Sequence, residues 1–202
     1  MDIRDVFFSK KNENPKGQND SILSYLREMV FGFVSILLVF MLFFRIIIVS
    51  GSSMKQTLIN GDCVLLLSNL LYSNPEYGDI VVVSKDSFKN GEPIIKRVIA
   101  TQGQKIDIDF KKGIVYVDGV ALQESYINTP TTLFEGVSFP IVVEEGCVFV
   151  MGDNRNDSKD SRSMEIGLVD CREILGRAVF LMIPAENEDT KARDFGRIGG
   201  LW

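Results

Sequence analysis

The chain has 202 residues, 46% of them hydrophobic, with a formal net charge of −5 and no histidine. That length holds one domain, or one domain with a sizeable insertion, and the apolar content suffices for a core plus a membrane segment. The acidic balance argues against nucleic acid as the main partner, and the missing histidine excludes Ser-His-Asp and Cys-His catalysis and removes the commonest metal ligand.

Met1 to Asp20 is polar and reads as a disordered tail. Ser21 to Glu28 starts a helix, with Ser21 or Ser24 as its cap. Met29 to Phe44 is 16 residues without a charge, and after Arg45 the apolar run resumes through Val49. A bilayer takes about 20 apolar residues, and Arg45 can snorkel to the interface. A signal peptide would carry a shorter polar lead, and a buried core helix is disfavoured in a chain this size because the stretch is apolar on all faces and dominated by Ile, Val and Phe. Residues 29–45 therefore read as a transmembrane helix and 1–28 as a cytoplasmic tail. Arg4, Lys10, Lys11, Lys16 and Arg27 precede the span, whereas only Arg45 and Lys55 follow it closely. The excess of basic residues before the span places the N-terminus in the cytoplasm and the rest outside.

From Cys63 onward the pattern is β. Strands are expected over Cys63–Leu67, Ile80–Val83, Ile94–Ile99, Lys105–Phe110, Ile114–Val117, Val120–Leu122, Phe139–Val143, Cys147–Met151 and Ile174–Ile183. Asp118-Gly119 is a two-residue hairpin signal. Gln123 to Ser138 reads as a long loop and Ala185 to Trp202 as a partly ordered tail. The fold class is mostly β: antiparallel sheets, barrel-like or sandwiched, with no soluble helix of ten residues. Cys63, Cys147 and Cys171 lack metal-ligand spacing and read as buried free thiols, with a Cys147–Cys171 bridge as the alternative.

Three serines, Ser50, Ser52 and Ser53, stand just past the apolar run. Without histidine, a serine is activated by a carboxylate, a metal, an N-terminal amine or a lysine. Lys96 lies in Ile94-Ile95-Lys96-Arg97-Val98-Ile99, on the face of Ile94 and Val98. Desolvation lowers a lysine pKa, and moving it from ~10.4 to ~7.5 takes ~4 kcal/mol, within reach of a buried site. The strand alone better fits a solvated edge lysine that blunts aggregation. A third stretch, Gly152 to Arg162, is dense in groups that bond locally. Arg155, Lys159 and Arg162 oppose a calcium loop, so a network of Asp with Arg is the better reading.

Ser53-Met54-Lys55-Gln56-Thr57-Leu58, Gly78-Asp79-Ile80-Val81, Lys96-Arg97-Val98 and Gly152-Asp153-Asn154-Arg155…Ser158…Asp160-Ser161-Arg162 occur in this order after an apolar segment. In this the chain resembles the type I signal peptidases, in the short form common in Gram-positive bacteria, from about Phe31 to Pro184. The resemblance implies a membrane-bound serine endopeptidase that removes signal peptides from exported precursors at the outer face of the cytoplasmic membrane. It implies Ser53 as nucleophile and Lys96 as general base, with Ser158 hydrogen-bonded to the lysine amine. Asp160, Arg162, Arg97 and Asp153 would support them, and Met54, Leu58 and Ile95 would line small apolar substrate pockets. The implied partners are signal peptides and membrane lipid, with no metal, cofactor or nucleic acid. The domains would be a catalytic β core over 46–101 and 146–184, an inserted β subdomain over 102–145, and a tail over 185–202.

The chain departs from the family pattern in four places. Gln56 stands where proline is frequent, so the turn after the nucleophile would lose a rigid φ. Arg155-Asn156-Asp157 replaces an Arg-Asp-Asn order, which would shift a hydrogen bond. Ala100 to Gln104 replaces a Gly-x-Pro-Gly-Asp run. Gly51 stands where some members carry an oxyanion-donating serine, leaving the Ser53 backbone N–H as the surer donor. The competing readings are a Ser-Lys peptidase that cuts itself, which the membrane segment opposes, and a membrane-tethered scaffold with a decayed site.

Overall fold

The computed structural model describes residues 15–187 and 191–201; the tail expected before Pro15, and the parts of the C-terminal tail at 188–190 and Trp202, lie outside the described residues. The chain divides into two compact units, one through Met41 and one from Leu42.

The first unit is a helix, α1 (Pro15–Phe43). Helix already covers Pro15 to Asp20, so neither Ser21 nor Ser24 caps it: the Ser24 hydroxyl bonds the Ser21 carbonyl from within the helix. Ser21–Phe43 is long and apolar enough to cross a membrane. Its Phe31, Ile36 and Met41 are more than 60% exposed, a surface that water disfavours and lipid accepts. The helix does not continue through Arg45. The chain becomes a strand at Phe44, where Arg-Ile-Ile-Ile favours pleated backbone and finds a pairing partner.

The second unit is two antiparallel sheets. Its strands are β1 (Phe44–Ile48), β2 (Cys63–Ser68), β3 (Ile80–Val83), β4 (Ile94–Thr101), β5 (Lys105–Asp109), β6 (Ile114–Val117), β7 (Val120–Ala121), β8 (Ile141–Val142), β9 (Cys147–Met151), β10 (Val169–Asp170), β11 (Ile174–Ile183) and β12 (Gly199–Gly200). The larger sheet runs β1-β2-β11-β3-β4-β9-β10, with β12 added to β11. The smaller runs β7-β6-β5-β8. The β6–β7 hairpin closes on Asp118 (φ 53°) and Gly119 (φ 80°), the paired positive φ that a two-residue turn requires.

β3 and most of β4 and β9 are buried on both faces, because different apolar clusters cover the two sides. Val81, Val83, Val98, Val150 and Ile174 belong to one cluster. The second joins the sheets: Ile99, Phe149 and Met151 pack with Ile106, Ile108, Val115 and Val117. Phe149 meets Phe139 edge-on at 5.9 Å, and Phe139 meets Phe110 at 5.9 Å. The inserted strands therefore share a core with β4 and β9.

β1, β10 and β12 were not foreseen. The three cysteines are free and only partly buried, and no Cys147–Cys171 bridge is formed. The stretch after Pro184 is more than a tail: Leu201 is 8% exposed and Gly199-Gly200 pairs with Leu181 and Phe180.

Because Phe149 links the two sheets and is fully buried, Phe149→Ala lowers the unfolding free energy by ~3–5 kcal/mol. Urea denaturation of the detergent-solubilised chain measures this. A loss below ~1 kcal/mol would mean that the sheets do not share a core.

Candidate active site

The approach to Ser53 is set by β1. Past its end, Val49 N–H bonds Asp62 O at 2.8 Å and Gly61 N–H bonds Val49 O at 2.8 Å. The chain then swings through Gly51 at φ 94°. Lys55 N–H bonds back to Ser52 O, while Thr57 and Leu58 N–H both bond Met54 O, which makes a single helical turn beginning at Ser53.

Lys96 comes from β4, where it pairs with Val81 on β3. It is 3% exposed, so it is not the solvated edge lysine that the strand pattern allows. Its Nζ lies 2.7 Å from Ser53 Oγ and 2.9 Å from Ile95 O. The Ser52 hydroxyl points elsewhere, donating to Asp157 Oδ2 at 2.6 Å.

The loop 152–162 holds both pieces. Asn154 N–H bonds Ser53 O at 3.0 Å and Asn154 Nδ2 bonds Ser52 O at 3.1 Å. Arg97, next to Lys96, grips Asp153 at both oxygens, 2.8 and 2.7 Å, and also bonds Gly78 O at 2.8 Å. Asp153 accepts the Thr57 hydroxyl at 2.5 Å. Asp160 takes Arg162 at both oxygens, each at 2.8 Å, and accepts Gly152 N–H at 3.0 Å. Gly152 itself has no room for a side chain: a Cβ there would overlap Ser158 Oγ and Ser53 O. Ser158 is thus beside Ser53, yet its Oγ is buried without a hydrogen-bond partner among the described residues. The bond expected from Ser158 to the lysine amine is not formed; the amine lies against Ser53 Oγ and Ile95 O.

A cleft of about 250 Å³ opens over the pair, walled by Gly51 to Ser53, Ile94 to Lys96 and Asp157 to Lys159. Ile95 lines it. Met54 and Leu58 are 1% and 0% exposed and belong to an apolar cluster with Val49, Val64, Ile80, Ala178, Leu181 and Leu201, against which Ile95 packs. Gln56 has φ 105°, which proline, fixed near −65°, does not adopt; the turn is built for another residue. Asn156 and Asp157 divide the work of the altered order. Asn156 bonds Thr129, Pro130, Thr132 and Leu133, whereas Asp157 takes the Ser52 hydroxyl.

Sequence reasoning missed a second layer. Arg155, fully buried, forms a two-point pair with Glu124, whose side chain is 5% exposed, and bonds Gly152 O at 3.1 Å. Tyr126 stacks under Arg97, with 4.1 Å from guanidinium to ring centre, and donates to Glu124 at 3.0 Å. Burial first, and then the Glu124 charge, push the Tyr126 phenol well above its ordinary value, so it stays neutral. Glu124 and Tyr126 sit in the stretch read as a loop, where no periodicity marks them. Arg155 alone carried a signal, as a basic residue inside the Asp-rich motif.

The family model described as signal peptidase, peptidase S26, matches residues 22–183. The chain is 38% identical to the probable signal peptidase I-1 of Synechocystis sp., over 68% of this chain and 70% of that one. It is 31% identical to signal peptidase I S of Bacillus subtilis over 86% and 95%, and 29% identical to signal peptidase I of Bacillus licheniformis over 85% and 94%.

Glu135 flanks this network, its Oε2 3.9 Å from Arg162 Nε and without a hydrogen bond among the described residues. Burial, then the Asp160 charge, raise its carboxyl above the ordinary 4.5, against the opposing charges of Arg162 and Lys159. A raised folded value favours the protonated form in the native state. Its stabilising contribution is therefore present below 4.5 and lost as pH rises through the folded value. Glu135→Gln cannot ionise, so its stability relative to wild type increases with pH across that window, and at pH ~7 it is at least as stable. Urea midpoints across the pH range check this; a constant difference would show that Glu135 is not perturbed.

Proposed function

Since the chain belongs to the signal peptidases, peptidase S26, we propose that it cleaves signal peptides from exported precursors by a serine–lysine mechanism. The observation that carries this reading is the 2.7 Å contact between Ser53 Oγ and the amine of a lysine only 3% exposed. Burial disfavours the ammonium form, and a neutral amine at hydrogen-bond distance can take the serine proton. Ser53 then attacks the scissile carbonyl, Lys96 passes the proton to the departing amine, and an acyl-enzyme forms. A water activated by the same amine releases the acyl group. The Ser53 backbone N–H is the oxyanion donor in this scheme.

The remaining residues take supporting roles. Arg97 with Asp153, and Arg162 with Asp160, fix the strand and the loop that carry the amine and its surroundings. Ser158, buried on the cleft wall beside Ser53, is the hydroxyl that bonds the amine once Ser53 is acylated and no longer occupies it. Ile95 forms the cleft's apolar surface, with Met54 and Leu58 setting its depth from behind. Side chains before the cut must then be small, since overlap with a packed wall costs ~1–3 kcal/mol. The partners are precursor signal peptides and membrane lipid. α1 is the single span, with a cytoplasmic N-terminus and the β unit at the outer face.

Detergent-solubilised protein incubated with a secretory precursor tests the chemistry. Ser53→Ala and Lys96→Ala each abolish processing, while Ser52→Ala keeps measurable activity because its hydroxyl is held by Asp157. The wild-type rate rises with pH through an ionisation below ~10.4. Lys96→Arg is inactive, because arginine stays charged and accepts no proton. Substantial cleavage by Lys96→Arg, or a kcat/KM profile flat from pH ~6 to ~10, excludes lysine as the base.

Topology is tested separately. Protease added to spheroplasts digests the chain after Val49 and spares the segment before Arg27. Protection of the β unit would place it on the inner side instead.

A further inference from the structure

The stretch Ala192–Leu201, read from sequence as a tail, is fastened to the turn that carries Ser53. Asp62 is 0% exposed. Its carboxylate accepts Ile59 N–H at 2.8 Å, Ala185 N–H at 2.7 Å, and Arg197 at both oxygens, 3.1 and 2.6 Å. The same guanidinium bonds the Thr57 carbonyl at 3.2 Å. Thr57 is thus held from two sides: its carbonyl by Arg197 and its hydroxyl by Asp153, the partner of Arg97. Leu201 adds apolar contact in the cluster of Met54 and Leu58, and its N–H bonds Val179 O at 3.0 Å.

We propose that Arg197 is a positioning residue for the nucleophile. By joining Asp62 to the Thr57 carbonyl, it fixes the Met54–Leu58 turn and so the distance from Ser53 to Lys96. The inference rests on the serine–lysine reading above. An exposed ion pair would contribute little, but this one ends on a fully buried carboxylate with four donors. Releasing the guanidinium leaves that carboxylate short of partners and frees the end of the turn. Reacting groups tolerate little displacement, and a shift near 1 Å costs a rate of order 100-fold. Arg197 does not reach the cleft wall, so the loss falls on kcat and not on substrate binding.

The test measures kcat and KM for precursor cleavage with the full chain in detergent, comparing wild type, Arg197→Met, Arg197→Lys and Asp62→Asn, with Ser53→Ala as the blank. Arg197→Met lowers kcat by ~10- to 100-fold with KM close to wild type. Arg197→Lys recovers part of the loss, since a cation still reaches Asp62. Near-UV circular dichroism establishes that each variant is folded at the assay temperature. If Arg197→Met does not fold, Asp62→Asn, which keeps shape and weakens the same pair, carries the comparison and shows the same fall in kcat. A folded Arg197→Met or Asp62→Asn with wild-type kcat, or with its whole loss in KM, overturns the inference. A wild type that fails to cleave, or a Lys96→Arg that cleaves, overturns the serine–lysine reading and this inference with it.

Discussion

Three pieces of the second unit, distant in sequence, meet on one buried carboxylate. Asp153 belongs to the loop after β9, takes both arms of Arg97 from β4, and accepts the hydroxyl of Thr57 from the turn after β1. Ser53 and Lys96 stand in those last two pieces, four residues and one residue away. Their 2.7 Å separation is therefore referenced to a common anchor. Such a pair is not retained for stability alone, because apolar residues of equal volume often do as well, whereas removing one partner leaves a buried charge exposed to a low dielectric. What it supplies is direction: a forked guanidinium meeting a carboxylate at two points admits one orientation. The Tyr126 ring beneath Arg97 closes off the remaining face.

The segment between β7 and β8 also contributes to this arrangement. Glu124 holds Arg155, which bonds the Gly152 carbonyl, and Asn156 ties the loop 152–162 to residues 129–133. Beneath them the aromatic series Phe110, Phe139 and Phe149 runs from one sheet into the other. Close-packed interiors transmit strain, so the irregular segment 123–138 acts as a brace for the loop 152–162 although its backbone forms almost no ladder.

How far the sequence speaks depends on the range of the interaction. β3, β6, β9 and β11 are legible to the residue because apolar patterning and bounding Gly, Asp or Pro are local signals. β1 is hidden because its isoleucines continue the apolar run of α1, and hydrophobicity alone does not separate a spanning helix from an edge strand. β10 and β12 are two residues long and carry no period. The motif names Ser53 and Lys96, but nothing local tells that Asp62 and Arg197, 135 positions apart, share a bond. The Ser158 hydrogen bond failed for a related reason: a motif carries residue types, and not which of two neighbouring hydroxyls the amine faces.

β11 lies near the middle of the larger sheet, between β2 and β3, yet ten strands precede it in the chain. Until Ile174 to Ile183 has left the ribosome, the edges of β2 and β3 that pair with β11 face no partner. Contacts between distant segments form slowly, and unpaired apolar edges are prone to aggregation. The unit thus passes through an interval in which Ser53 exists but the larger sheet cannot close, so the order of that sheet waits on β11.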